Sequence, residues 1–140
     1  MGSTSPGSTK KNGDMALASF RAVSLEIGQL LERQMPGVNY AEIEPQLARL
    51  VDIVHRNPAL IDLFEREFSS LLALKNFGAV EILQYSMHIL RWASIREAAK
   101  RAFRENEDLR RRRMYERILD AFEPDWEDRD MFIRFRNNAE

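Results

Sequence analysis

Two histidines, His55 and His88, are the only side chains of this sequence that ordinarily change charge near neutral pH. His55 follows Asp52 by three residues, a spacing that turns an imidazole and a carboxylate to one side of a helix, where they could share a metal ion. A di-iron bundle needs that pair twice, plus two further carboxylates. Only one copy exists, with Asp in place of Glu, so His55 reads as an exposed or capping histidine near a helix C-terminus. The sequence holds no cysteine, which removes thiol nucleophiles, zinc–thiolate sites and disulfides. Its six glycines, at positions 2, 7, 13, 28, 37 and 78, are too scattered for a phosphate-cradling loop, and no serine-nucleophile motif is present. The expectation is therefore a protein without catalytic residues, metal ligands or cofactor.

One spacing points the other way. Arg49 and His55 are separated by five residues, which resembles the nuclease motif of some helical HEPN domains. The resemblance covers these two positions alone, and it implies a ribonuclease with Arg49 and His55 in its site. Members of that family usually place a polar residue after the arginine, where this chain has Leu50. Residues six apart on a straight helix also point roughly 120° away from each other, so the site would require a kink and a cleft that brings a second polar group to His55.

Charge is the strongest local signal. Residues 91–117 hold ten Lys or Arg against five Asp or Glu, including Arg110-Arg111-Arg112-Arg113, whereas residues 118–140 hold three against seven. The whole chain is near neutral at −1, so this is local polarity of the kind a docking surface uses. Arg96, Lys100 and Arg104 recur every four residues as one stripe, and Arg110, Arg113 and Arg117 form another. Together they could meet several phosphates or an acidic partner. Four consecutive arginines point all round a helix, however, and only Tyr115 offers an aromatic ring for base stacking. Glu107 and Asp108 precede Arg111 and Arg112 by four residues, and Glu97 precedes Arg101 likewise, the order that favours intrahelical ion pairs. A second candidate surface is the strip Glu81, Tyr85, His88 and Trp92, with Arg91 beside it; Tyr, Trp and Arg are the residue types that dominate interface hot spots. A further helix could equally cover that strip as core.

The elements that must position these residues read as helices almost throughout. Residues 1–14, with three Gly, one Pro and many small polar residues, read as a flexible tail, and 136–140 as a frayed end. In the domain between, 15–135, Phe20, Val23, Ile27, Leu30 and Leu31 form the first stripe, closed by Pro36-Gly37. Gly28 inside it costs roughly 1 kcal/mol relative to alanine and marks close approach of a neighbouring helix. Asn39 and Glu42 form a capping box for the second helix, with Ile43, Leu47, Leu50, Val51 and Val54 inward. Pro45 near its first turn moves the expected regular start toward Glu44. Asn57-Pro58 starts a third helix with Leu60, Phe64, Phe68, Leu71 and Leu72 inward, ending at Asn76-Phe77-Gly78.

The fourth helix, about Ala79 to Trp92, is apolar over more than one face and reads as central. Ser94 and Glu97 form a capping box for a fifth, with Ile95, Ala99, Ala102 and Phe103 inward. After a break at Asn106–Asp108 a sixth carries Met114, Ile118, Leu119 and Phe122. Beyond Glu123-Pro124-Asp125 a short helix with Trp126, Met131 and Phe132 packs back as a lid. The fold class is all-α: six to seven short antiparallel helices as a compact bundle, or alternatively a short armadillo- or HEAT-like stack. Without an apolar run long enough to span a bilayer or act as a signal core, the reading is an intracellular protein, cytoplasmic or nuclear. The expected function is a non-enzymatic helical adaptor that binds another protein through the Tyr85/Trp92 strip or the groove beside the arginine helices. Nucleic-acid binding through Arg96, Lys100, Arg104, Arg110, Arg113 and Arg117 is the alternative.

Overall fold

Local periodicity translates directly into packing. On α1 (Pro6–Gln34), Ala16, Phe20, Val23, Ile27 and Leu31 recur at helical spacing and are buried. The computed structural model describes residues 6–136, with side chains from Asn12 onward. The helix thus begins at Pro6, inside the segment expected to be a flexible tail, because extending an existing helix costs far less than starting one. Gly13 supplies the contact, lying where a Cβ would be 3.5 Å from the Leu63 side chain. Expectations for residues 1–5 and 137–140 lie outside the described residues.

Five further helices follow: α2 (Tyr40–Arg56), α3 (Ile61–Leu71), α4 (Ala79–Leu90), α5 (Ala93–Glu105) and α6 (Leu109–Asp120). No strand occurs among the described residues, and none of their helices is long and apolar enough to cross a membrane. The chain is an all-helical bundle wound round α4, which buries every residue from Ala79 to Met87 except the half-buried Glu81. Helix α2 packs on α1, α3 bridges α1 and α5, and α6 lies against both α4 and α5. Phe20 joins α1 to α3 through Phe64 and Phe68, with ring centroids 5.6 and 5.2 Å away, and Phe68 meets Trp92 edge-on at 5.5 Å.

Helix ends show where local signals compete. The Asn39 side chain accepts from the Ala41 N–H at 3.1 Å, so α2 starts at Tyr40 and carries Pro45 in its interior. Asn57 does not cap the next helix. Its Nδ2 donates to the Ile53 carbonyl at 2.7 Å, closing α2, and Pro58–Leu60 forms a 3₁₀ turn before α3. The Ser94 capping box does not form either. Arg91 takes a left-handed conformation (φ 52°) that ends α4, Trp92 becomes the residue before α5, and Ser94 donates to Glu65 instead. The expected lid is present as two 3₁₀ turns, Glu127–Met131 and Ile133–Phe135, not one helix.

Gly28 lies against the α3–α4 loop, where an added Cβ would sit 2.6 Å from the Phe77 carbonyl oxygen. Alanine there gains about 1 kcal/mol of helix propensity, but a backbone carbonyl cannot rotate aside as a side chain can. Gly28→Ala is expected to destabilise the bundle by about 1–3 kcal/mol net, read as a lower midpoint in thermal or urea unfolding. A rise in midpoint would show that the loop yields freely.

Candidate functional site

The basic segment separates into internally satisfied and free cations. Arg111 Nη1 donates to the Ala73 carbonyl at 3.1 Å and Tyr115 Oη to the Leu72 carbonyl at 2.6 Å, so α6 satisfies carbonyls left open at the end of α3. Arg112 stacks 4.5 Å above the Phe103 ring. Arg96 pairs with Glu123 at 3.2 Å and Lys100 with Glu97 at 3.4 Å, both near the surface. The expected pairs of Glu107 and Asp108 with Arg111 and Arg112, and of Glu97 with Arg101, are not formed. Asp108 caps α6 through the Arg110 N–H at 3.0 Å, and the two arginines have the partners just described. Arg104, Arg110, Arg113 and Arg117 make no ion pair among the described residues. Among the described residues the acidic segment pairs with Arg96, through Glu123, and with none of these four; partial burial, then the carboxylates of Glu116, Asp128, Glu123 and Glu127, push the Asp120 carboxyl above its ordinary value.

The strip on α4 is not an open surface. Tyr85 is fully buried beneath Phe132 and Phe135, with ring centroids at 5.1 and 4.9 Å, and His88 lies between Trp126 and Phe135 at 5.1 and 4.7 Å. Trp92 is half-buried against Phe68, while Arg91 is exposed and its Nε donates to the His88 carbonyl at 3.2 Å. The spacing of four, three and four residues places Glu81, Tyr85, His88 and Trp92 on one face, but the chain's own C-terminal turns occupy its middle. Their anchor is Glu44, a buried carboxylate with no sequence motif to announce it. It accepts the Ile133 and Arg134 N–H groups at 2.7 and 3.0 Å and the Tyr85 hydroxyl at 3.3 Å. Burial holds the Tyr85 hydroxyl above its ordinary pKa, so it remains a neutral donor.

His88 Nδ1–H donates to the Ala121 carbonyl at 2.7 Å. Burial, aided by the nearby Arg91 and Arg129 cations, nevertheless lowers its pKa below the ordinary imidazole value. The unfolded chain then binds more protons than the folded one just below about pH 6.5, so stability falls as pH drops through that window and levels off beneath the lowered pKa. Urea midpoints measured from pH 7.5 to 5 should show this loss in the wild type and a flatter profile in His88→Gln.

Arg49 and His55 are both exposed and make no side-chain hydrogen bond among the described residues; α2 runs unbroken through both. Among the described residues no hydrogen bond brings a second polar group to His55. Asp52 pairs with Arg56 at 3.0 Å, leaving His55 alone. Among the described residues no three His, Asp or Glu side chains group as metal ligands.

The open apolar feature lies elsewhere. A groove of about 610 Å³ runs between the end of α1, the α3–α4 loop, the start of α4 and one face of α6. Met35, Val38, Leu74, Phe77, Val80 and Met114 line it, with Tyr40, Lys75, Glu81 and Arg117 among them. Met35 and Phe77 are 56% and 53% exposed, large apolar side chains that the core leaves outside. Two positive-φ residues shape the loop, Leu74 at 55° and Gly78 at 90°; a bulky leucine in that region carries strain. No protein-family model matches this chain, and no curated protein or solved structure matches it. The groove must therefore be read from its own chemistry. In the sequence, Asn76-Phe77-Gly78 reads only as a helix stop, and Met35 belongs to no apolar stripe. A bulky apolar residue inside a turn signal, with no stripe to join, was the available clue. A second hollow, about 670 Å³, lies on the other side of α6, but its lining of Phe103, Leu109, Arg110, Arg112, Arg113 and Glu116 is mostly charged.

Proposed function

We propose that this protein is a non-enzymatic helical interaction module that docks a segment of another protein in the groove between α1, α4 and α6. The observation that carries the reading is the exposure of Phe77 and Met35 at the mouth of an apolar groove, in a bundle whose other aromatic rings are buried or half-buried. The burial of Tyr85 under the C-terminal turns supports the groove bordered by the arginine helix over the α4 strip. A photo-crosslinking residue at position 77 should trap a partner from cell extract that the same residue at the exposed position 18 does not trap. Phe77→Ser is expected to weaken capture of that partner at least tenfold, as loss of an interface anchor does, and to leave the unfolding midpoint nearly unchanged. Equal trapping from both positions would overturn the reading.

The exposed and unpaired Arg104, Arg110 and Arg113 favour a second reading, a nucleic-acid-binding domain. It requires affinity for mixed single- and double-stranded nucleic acid that drops by orders of magnitude between about 50 and about 200 mM salt. Absence of binding at both salts removes it.

A further inference from the structure

Resting on the docking reading, we infer that the groove selects an acidic, apolar-anchored peptide segment, with bulky side chains seated against Phe77 and Met114 and carboxylates turned toward Lys75 and Arg117. The first ground is charge complementarity. Lys75 and Arg117 both line the groove, and neither makes an ion pair among the described residues, so both are open to an incoming carboxylate. Glu81, on α4, is the one carboxylate in the lining, against the two cations Lys75 and Arg117. The start of α4 also opens here, and Gly78 gives it no side-chain cap, so the helix end adds to the positive potential.

The second ground is the apolar floor. Met35 and Met114 are unbranched and polarizable, side chains that adapt to differently shaped anchors, and Phe77 presents an exposed ring. A volume of about 610 Å³ falls within the range of ligand-holding clefts and admits several anchor side chains. The chain itself holds an acidic aromatic stretch, Glu123 to Asp130, that would match this chemistry in a second copy. Its Trp126 is only 3% exposed and stacks within the fold, so self-docking lacks a free anchor.

The test is selection of a random 16-residue peptide display library on the full-length protein, with counter-selection on Phe77→Ser. Affinities of the enriched peptides are then measured by fluorescence anisotropy. The expected result is enrichment of Asp and Glu around aromatic or aliphatic residues. Affinity should fall at least tenfold in the double variant Lys75→Glu, Arg117→Glu, and be recovered there by peptides whose acids are exchanged for Lys. That recovery also shows that the double variant is folded. Groove-dependent peptides of neutral or basic character would overturn the inference and leave the docking reading standing. Acidic peptides that bind Phe77→Ser as well as wild type, or no enriched peptides at all, would overturn it too. The crosslinking comparison at position 77 then decides the docking reading separately. Concentration-dependent dimerisation abolished by Phe77→Ser would replace the partner segment with a second copy.

Discussion

Replacing Phe132 with alanine is expected to lower the free energy of unfolding by about 3–5 kcal/mol, the usual cost of deleting a fully enclosed ring. Phe132 has no exposed surface, and its ring meets Tyr40 at 5.5 Å and Tyr85 at 5.1 Å, both edge-on. The segment that carries it consists of two short 3₁₀ turns, too short to hold a conformation by backbone hydrogen bonding alone. Side-chain burial must therefore keep residues 126–135 in place, and removing its central ring also loosens Phe135 over His88. Ile133, the next residue and 56% exposed, provides the control. Ile133→Ala should stay within about 0.5 kcal/mol of wild type. Urea unfolding followed by tryptophan fluorescence checks both, since Trp126 reports on the same cluster. A loss below about 1 kcal/mol for Phe132→Ala would mean that the C-terminal turns open independently of the helices and do not belong to one cooperative unit.

That cluster also marks the boundary between what the sequence could and could not show. The inward stripes were readable because helical periodicity is local: Phe20, Val23, Ile27 and Leu31 face the core in α1 for the same reason that Ile43, Leu47 and Leu50 do in α2. The apolar excess of residues 79–90 correctly marked α4 as central. The α4 strip was recognised as a face, but what covers it begins at Trp126, more than thirty residues further on, and no local pattern says which distant segment returns. The arginine run shows the same limit. Its charge was plain, yet the fates of its members depend on a carbonyl of α3 for Arg111 and a ring of α5 for Arg112. Where two local signals competed, tertiary geometry decided. Ser94 and Glu97 had the form of a capping box, but Arg91 in a left-handed conformation left only two residues between α4 and α5 and moved the helix start upstream. The groove was least legible of all, since Phe77 becomes notable only when the other rings are seen to be buried or half-buried.

Glu44→Ala is expected to cost about 2–3 kcal/mol, the order of cost for losing charge-assisted acceptors to partly buried donors. The carboxylate is 8% exposed and sits opposite the first residues of the turn Ile133–Phe135, taking two successive backbone N–H groups as a helix-capping side chain does. Without it those donors and the Tyr85 hydroxyl lose their partner, and alanine leaves a space that only water could fill. Glu44→Gln keeps one acceptor oxygen and should cost about half as much. The informative measurement is the double-mutant cycle with Phe132→Ala in urea. If the carboxylate and the ring hold the same turns, either substitution alone releases much of what the other secures, and the double variant should be less destabilised than the two singles together by about 1 kcal/mol or more. Additivity within about 0.3–0.5 kcal/mol would show instead two independent attachments. The distinction bears on the groove as well. Tyr40 lines it while packing edge-on against Phe132, and partial burial, then the nearby Glu81 carboxylate, raises its hydroxyl above the ordinary tyrosine value. Turns secured as a unit by Glu44 and Phe132 therefore support one wall of the groove, and on the proposed docking reading loosening either should weaken peptide binding without touching a groove cation.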